Sequence, residues 1–389
     1  MSKTIAICGI RGIPARYGGF ETFAEELAPR LVESGMDVRV YGRSHVVKHP
    51  GKFYKGVELV LLPTIRSKYL DTPVHTILCV LHLVFNRVDA VLVCNAANSP
   101  FIWLLRLFRM PVAVNVDGIE RKRAKWNWLG KAWYKLGEYC SVLFATRIIA
   151  DAEVIRDYYQ QEYSAESTVI AYGHNNSLRE SVVAKVEGKQ IQTEGQEIFN
   201  ELGIEPGRYL LYVSRLEPEN NAHQVIEAYT RMEGAKVPLV IVGDAPYSEE
   251  YKGLLRELAQ SASGEGEDRV IFAGYRFGAD YSILQLGALV YIQATEVGGT
   301  HPALVEAMGF GNCIVANGTP ENCEVVGSDG LTYRPGDLEQ LSEQLRSLID
   351  NETRVEEFRE LAFRAAEERY DWTKIASEYK ELFTLLSEP

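Results

Sequence analysis

Two glycine-rich turns and one arginine carry the residue types that hold a phosphate. The first turn, Gly9-Ile-Arg-Gly12-Ile-Pro-Ala-Arg16-Tyr-Gly18-Gly19-Phe-Glu21-Thr22, follows the apolar run Thr4–Cys8 and opens a helical stretch. Glycines let backbone approach a ligand, and a helix N-terminus presents unsatisfied N–H groups to an anion. A tight β-to-α turn without a ligand uses the same residues. In the second half, Val213-Ser214-Arg215-Leu-Glu-Pro-Glu219-Asn220-Asn221 sets an arginine directly after a strand-like run. Its planar guanidinium suits a diphosphate clamp, or a surface salt bridge. Thr295-Glu296-Val-Gly298-Gly299-Thr300-His301-Pro-Ala-Leu-Val-Glu306 joins a second glycine turn to a helix. Small residues at a helix start suit phosphate, and Glu306, one turn further on, suits ribose hydroxyls or stands as an ordinary exposed helix residue.

Three polar residues stand where apolar runs end: Asp117 after Val112–Val116, Asp151 after Arg147–Ala150, and Tyr172 after Thr168–Ala171. In open parallel sheets the carboxyl ends of the strands form the ligand-binding edge, so these three are catalytic candidates together with Glu21. Asp117 alternatively caps the helix that follows it. Gly243-Asp244 closes the run Leu239–Val242, where a simple turn also explains it. No Asp-x-Asp element lies in a suitable loop, so no metal and no cofactor are expected.

These turns need parallel strands behind them. Short apolar runs alternate with amphipathic stretches: Thr4–Cys8, Phe20–Ser34, Val38–Tyr41, Val57–Leu62, and later Ala90–Cys94 and the three runs named above. This is the rhythm of βαβ units. Between Gly173 and Glu201 it weakens into a polar stretch containing Gln and Glu, the expected interdomain connection. It resumes with Tyr209–Val213, Leu239–Val242, Val270–Phe272, Ala288–Ile292 and Cys313–Ala316. A length of 389 residues suits two domains of about 150–200 residues each. The expectation is an α/β protein of two doubly wound, Rossmann-like domains, residues 1–175 and 176–370, followed by a helix within 371–389.

A formal net charge of −12 argues against nucleic-acid binding, which needs a basic field. The six cysteines lie scattered among apolar segments without CxxC spacing, which suggests neither zinc nor disulfides and fits a reducing cytoplasm. Met1–Cys8 runs straight into the glycine turn without the n- and h-regions of a signal peptide. The longest apolar stretch, Pro73 to Phe85, is interrupted by His75 and His82 and falls short of the roughly 20 residues a spanning helix needs.

Taken together, the chain resembles glycosyltransferase family 4, the retaining GT-B enzymes, and in particular its rhamnosyltransferase-like branch. The segments that carry the resemblance are Arg11 to Thr22, Asn115-Val-Asp117-Gly118-Ile-Glu120-Arg121-Lys122-Arg123-Ala-Lys125-Trp126, and Gly298 to Met308. The resemblance implies two domains facing each other across a cleft, with the last helix, after Trp372, returning to the first domain. It implies that Gly18 and Gly19 approach the phosphates of a dTDP- or UDP-linked sugar, that Arg215, Gly299, Thr300 and His301 meet them, and that Glu306 holds the ribose. Gly243 and Asp244 then line the nucleotide pocket. Asp117 stands where many relatives place a histidine beside the transferred sugar; a carboxylate there orients a hydroxyl, stabilises oxocarbenium charge or binds the acceptor. Two positions depart from the family pattern. Many relatives carry a lysine where this chain has Asn220, so a phosphate-neutralising charge is missing or comes from elsewhere, Arg276 being the candidate. The paired glutamates of the family, separated by seven residues, count back from Glu306 to Gly298, with Glu296 two residues further out.

From Arg121 to Tyr139 the chain is locally basic and aromatic, with Arg121, Lys122, Arg123 and Lys125 beside Trp126 and Trp128. Such a segment lies on an anionic bilayer or binds an acceptor there, or it is an amphipathic helix with aromatics in the core and lysines in water. The resulting expectation is a cytoplasmic enzyme at the inner face of the cell membrane, moving a hexose or deoxyhexose, rhamnose in the first place, to a glycan or lipid-linked acceptor in surface-polysaccharide synthesis. Two other readings stand beside it. An NAD(P)-dependent oxidoreductase lacks the acidic residue after Val38–Tyr41, although Arg43 there suits a ribose phosphate. A non-catalytic sugar-nucleotide-binding module fits the departures at Asn220 and Gly298.

Overall fold

The computed structural model describes residues 2–15, 18–67, 69–123, 126–174, 191–232, 237–245, 248–262 and 269–388. The chain divides into two compact units, Met1–Gly173 with Trp372–Pro389, and His174–Asp371.

In chain order the first unit contains β1 (Thr4–Cys8), α1 (Gly19–Glu33), β2 (Asp37–Arg43), β3 (Phe53–Tyr54), β4 (Val57–Leu62), α2 (Asp71–Phe85), β5 (Ala90–Cys94), α3 (Trp103–Leu107), β6 (Val112–Asn115), α4 (Trp128–Phe144), β7 (Arg147–Ala150), α5 (Glu153–Tyr163) and β8 (Ser167–Val169). The second contains α6 (Ile191–Leu202), β9 (Leu210–Val213), α7 (Ala222–Thr230), β10 (Leu239–Val242), α8 (Glu249–Ala262), β11 (Val270–Gly274), α9 (Gly278–Gly287), β12 (Val290–Gln293), α10 (Pro302–Gly309), β13 (Cys313–Asn317), α11 (Pro320–Val326), β14 (Leu331–Tyr333), α12 (Leu338–Ile349) and α13 (Glu352–Arg369). The last helix, α14 (Trp372–Leu386), belongs to the first unit.

The first sheet runs β3-β4-β2-β1-β5-β6-β7-β8, parallel except for the short β3–β4 pair, and the second runs β11-β10-β9-β12-β13-β14, parallel throughout. Both orders reverse direction next to the first strand of their unit, the doubly wound pattern expected. Runs such as Ala90–Cys94 and Cys313–Asn317 are buried at every position, as strands covered on both faces require. The polar stretch expected as connection is not all loop: α6 occupies its second half, burying Ile198 and Phe199. Its Gln- and Glu-rich composition hides that short apolar repeat.

One face of the first sheet is covered by α1 and α14. Trp372, Ile375, Ala376, Tyr379, Phe383 and Leu386 recur at three- and four-residue spacing and enter the core. Phe23 of α1 stands edge-on to Tyr379 and to Tyr172, each with centroids 5.5 Å apart, and 6.0 Å from Trp372. The Tyr379 hydroxyl accepts a hydrogen bond from Asn115 Nδ2 at 3.1 Å, and Lys3 Nζ reaches the Thr384 carbonyl at 2.9 Å. Phe23→Ala therefore empties the centre of an aromatic cluster. It should lower unfolding free energy by about 3–5 kcal/mol in a urea titration; a loss under about 1 kcal/mol would show that the cluster is not what ties α14 down.

Candidate functional site

The first unit places its candidate residues after the carboxyl ends of β1, β6, β7 and β8. Gly9 has φ +87°, and a Cβ on it would lie 2.3 Å from the Cys94 carbonyl oxygen, so the turn after β1 needs glycine there. Asn98 braces that approach, its Nδ2 donating to the Cys94 carbonyl at 2.7 Å and the Gly9 carbonyl at 3.3 Å. Gly18 is the extended N-cap of α1, with no side chain capping the helix; the N–H groups of Glu21 and Thr22 both reach its carbonyl at 3.1 Å. Gly19 opens the helix and is exposed. An anion is thus met by backbone.

Glu21 is buried, and its carboxylate accepts the Arg11 N–H at 2.8 Å. Burial raises its pKa, while the Arg11 N–H and the Arg11 and Arg43 charges oppose the rise. This gives Glu21 a structural task, holding the glycine turn against α1. Arg43 at the end of β2 is only 4% exposed and is paired with Asp71 and, at 3.0 Å, with the Thr72 hydroxyl. The cation that kept a dinucleotide phosphate in view is thereby engaged inside the unit.

Asp117 follows β6 with φ +59°, a left-handed backbone costing about 1–2 kcal/mol for a non-glycine residue. Its N–H donates to Asn115 Oδ1 at 3.1 Å, and it is half-buried. It is not an N-cap: the next turn, Glu120–Lys122, starts after Ile119, and Asn127 caps α4. A strained carboxylate at a strand end is the feature most expected of a ligand-facing position. Asp151, after β7, is fully buried. Tyr172 corrects the expectation for its position. Its ring packs against Phe20 and Phe23, and burial first, then the Asp117 and Asp151 charges, push its hydroxyl far above the ordinary tyrosine range. It is a neutral core residue that lies in the electrostatic reach of both aspartates, not an acid or base near neutral pH.

The basic segment is also corrected in part. Arg121 binds Glu138 at 3.2 Å and the Tyr158 hydroxyl at 2.6 Å; Arg123 is buried and pairs with Glu120 at 2.6 Å. Trp126 donates from Nε1 to Glu120 at 3.2 Å and packs against Tyr134. Internal carboxylates have taken these three, whereas Lys122 and Trp128 are exposed. Lys125 lies outside the described residues.

In the second unit the candidates stand at the carboxyl ends of β9, β10 and β12. Arg215 is partly exposed, with Glu217 at 3.6 Å. Asn220, in place of the family's lysine, is buried; its Nδ2 donates to the Arg215 carbonyl at 2.6 Å, and its own carbonyl accepts the Tyr212 hydroxyl. The residue at this position braces the arginine loop instead of adding a charge. Arg276 does not stand ready as the substitute: it donates to the Ala273 carbonyl at 2.9 Å and pairs with Glu201 at 3.2 Å and Asp280 at 3.7 Å.

Gly243 has φ +130°, and a Cβ there would lie 1.8 Å from the Ser214 carbonyl oxygen, so the β9 and β10 loops touch through bare backbone. Asp244 accepts from Lys252 Nζ at 2.9 Å and from the Ala245 N–H at 2.7 Å; the lysine bond first, then that N–H, lower its pKa. After β12, the His301 ring lies over Gly298, where a Cβ would come within 2.3 Å of it. Gly299 and Thr300 are buried, and His301 is the extended N-cap of α10, with Pro302 at the first helical position and no side-chain cap. One turn on, Glu306 is half-buried and accepts the Tyr281 hydroxyl at 2.8 Å, which also accepts from Gln285 Nε2. A carboxylate at this position suits ribose hydroxyls.

Two features escaped the sequence. Asn221 and Asn317 both donate to the Ala294 carbonyl, at 3.0 and 3.2 Å, and Asn322 to that of Thr295 at 3.2 Å, so three buried carboxamides hold the loop after β12. Asn317-Gly-Thr-Pro320 directly after a buried strand was the available signal. Tyr275 and Phe277, exposed after β11, stack at 5.8 Å, and the Tyr275 hydroxyl reaches the Asp244 carbonyl at 3.0 Å.

Residues 194–366 match the family described as glycosyl transferases group 1, and residues 2–175 match a domain of unknown function, DUF1972. The alpha-monoglucosyldiacylglycerol synthase of Streptococcus pneumoniae is 30% identical over 178 residues, 44% of this chain and 37% of that protein. The chain spans less than half the length of the curated relatives it matches. Among solved structures, sucrose-phosphate synthase from Thermosynechococcus elongatus superposes with a TM-score of 0.81 at 17% identity, covering 99% of both chains. HepE from Anabaena, solved with UDP-glucose, gives 0.74 at 17% identity, covering 98% of this chain and 99% of its own. Residues 194–366 accordingly resemble a group 1 glycosyltransferase domain, and the fold of the chain is GT-B.

Proposed function

We propose that this protein is a retaining, metal-independent glycosyltransferase that takes a hexose or deoxyhexose, rhamnose in the first place, from a dTDP- or UDP-linked donor. The acceptor is a glycan or lipid-linked sugar, the setting surface-polysaccharide synthesis at the cytoplasmic face of the membrane. The observation that carries the donor half is the start of α10: an N-terminus capped by no side chain, small residues before it, and Glu306 one turn on. Rhamnose rests on the three segments shared with the rhamnosyltransferase-like branch. A glycan or lipid acceptor has support from the named relatives, an O-antigen mannosyltransferase of Escherichia coli and the glucosyldiacylglycerol synthase.

In this reading the nucleoside diphosphate leaves as Arg215 and the N-terminal N–H groups of α10 take up its growing negative charge. The acceptor hydroxyl attacks from the face the leaving group vacates, which keeps the anomeric configuration. Asp117 is the carboxylate assigned to the sugar's oxocarbenium character. Asp151 is buried at the end of β7. Tyr275 and Phe277 offer a flat surface for the base.

Arg215→Ala should weaken donor binding by about 10- to 100-fold, the worth of a charge-assisted contact, with turnover at saturation less affected. Asp117→Asn should do the opposite, lowering kcat by about 100-fold or more with donor affinity kept; isothermal titration beside steady-state kinetics separates the two, and the reverse pattern overturns the assignment.

A thermal-shift panel of nucleotide-sugars tests the central reading. The cognate donor at about 100 times its Kd adds roughly 2.7 kcal/mol of stability, and activity should persist in EDTA. No shift with any nucleoside diphosphate or nucleotide-sugar would sink it, and a strict need for Mg²⁺ or Mn²⁺ would remove metal independence.

A further inference from the structure

The first unit carries an exposed apolar surface that its core does not account for. After Asp71, α2 holds no Asp, Glu, Lys or Arg. It buries His75, Cys79, Val80 and Leu83 and leaves Ile77, Leu81 and Phe85 in water, Phe85 at 84%. A spacing of four places those three on one stripe. α3 adds exposed Trp103 and Leu107.

α4 is amphipathic in reverse. Its buried residues are Gly137, Glu138, Cys140 and Ser141. Gly137 sits so close to the turn after β5 that a Cβ would lie 2.4 Å from the Ala96 carbonyl oxygen, and the Ser141 hydroxyl bonds that of Ser99 at 2.7 Å. Glu138 accepts hydroxyl bonds from Tyr158 at 2.8 Å and Tyr163 at 2.6 Å besides its pair with Arg121. Trp128, Leu129, Leu136, Tyr139 and Leu143 face outward instead, Trp128 at 75%. All three helices pack on the tight turn Ala96–Phe101, and α2 also contacts α3.

The charge around this surface is predominantly positive, with the exposed Glu162 standing 3.9 Å from Lys135 Nζ. Lys131 and Lys135 flank the α4 stripe, Arg106 lies between Trp103 and Leu107, and Arg87 donates to the Phe108 carbonyl. Asp71 is taken by Arg43, and Glu138 is buried. From Thr72 to Ile149 there are ten Lys and Arg against four Asp and Glu, in a chain of net charge −12. Scattered exposed apolar residues are ordinary; apolar stripes with a cationic rim mark a contact surface.

We propose that the outer face of α2, α3 and α4 seats the protein on an anionic lipid bilayer. Trp103, Trp128 and Tyr139 have the amphipathic rings that settle at headgroup level, and the aliphatic stripes reach the acyl boundary. The lysines and arginines lie against lipid phosphates. No helix among the described residues is long and apolar enough to cross the membrane, so this contact is peripheral. The purpose of the surface rests on the reading of a lipid-linked acceptor; its residues are separate from the donor loops.

The test is vesicle flotation of the full chain with phosphatidylcholine alone and mixed with phosphatidylglycerol. Binding is expected to the mixed vesicles only and to fall at high salt. Lys131→Gln/Lys135→Gln should weaken it by about 30-fold, and Phe85→Ser/Trp128→Ser/Leu136→Ser should abolish it. All five side chains are at the surface, so the melting temperatures should match the parent's. The proposal is overturned if neither vesicle binds, if both variants bind like the parent, or if ultracentrifugation shows a dimer that the triple variant dissociates while vesicles are ignored. Failure of the donor reading shows separately, as no nucleotide-sugar shift in the parent chain.

Discussion

A parallel strand leaves no face that water can cover, because the crossover from each strand to the next must lie over the sheet. That constraint organises both units. In the first, α1 covers one face of the sheet only with the help of α14, and the two meet through Phe23, Tyr172, Trp372 and Tyr379. The chain's last helix is thus part of the core that begins with β1. The same constraint sends every strand of the second sheet, and the central strands of the first, out at one edge. Residues far apart in sequence, such as Arg215, Asp244 and His301, come to the same edge of the second sheet only because its strands run in one direction.

At that edge the loops of the second unit are held by backbone contact and by buried carboxamides. The β9 and β10 loops touch at Gly243 and Ser214, where no side chain fits, and three asparagines tie the β12 loop to its neighbours. Such bracing places a guanidinium and a helix N-terminus before any ligand arrives, which is what electrostatic preorganisation requires. The two departures from the family pattern belong to this bracing. Asn220 clamps the arginine loop where a lysine would add a charge, and the His301 ring lies over Gly298; in the proposed donor reading the phosphates then fall to Arg215 and backbone N–H groups.

The fold class and the likeness to a glycosyltransferase domain were legible because their signals are local: buried β-runs, glycine turns directly after them, and helices that follow. Asp117 stood out as a strand-end carboxylate, but its left-handed backbone did not, since φ is set by the pairing of Asn115 and Val116 with neighbouring strands. Tyr172 was misread for a related reason. Its position after a strand is visible in sequence, while the ring that fills the space above it comes from α1. Arg276 and Arg121 show the same limit for charges, because Glu201 and Glu138 lie far from them in sequence and adjacent to them in space.

The helix α4 shows how amphipathicity misleads when the buried partner is itself polar or tight. A basic aromatic segment invites two readings, with its aromatics turned inward or outward, and hydrophobicity alone favours inward. The interior side of α4, however, meets the backbone of Ala96 at Gly137 and a hydroxyl at Ser141, with Glu138 closing a cluster of two tyrosines and an arginine. Small and hydrogen-bonding residues must occupy that side, for a larger one would not fit and an apolar one would leave Ser99 and the tyrosine hydroxyls without their present partners. Trp133, Val142 and Phe144 still pack partly inward, while Trp128, Leu129, Leu136, Tyr139 and Leu143 are left toward solvent. Their exposure therefore follows from packing on the inner side, and it persists without cost to solubility only where a second apolar phase is at hand to take them.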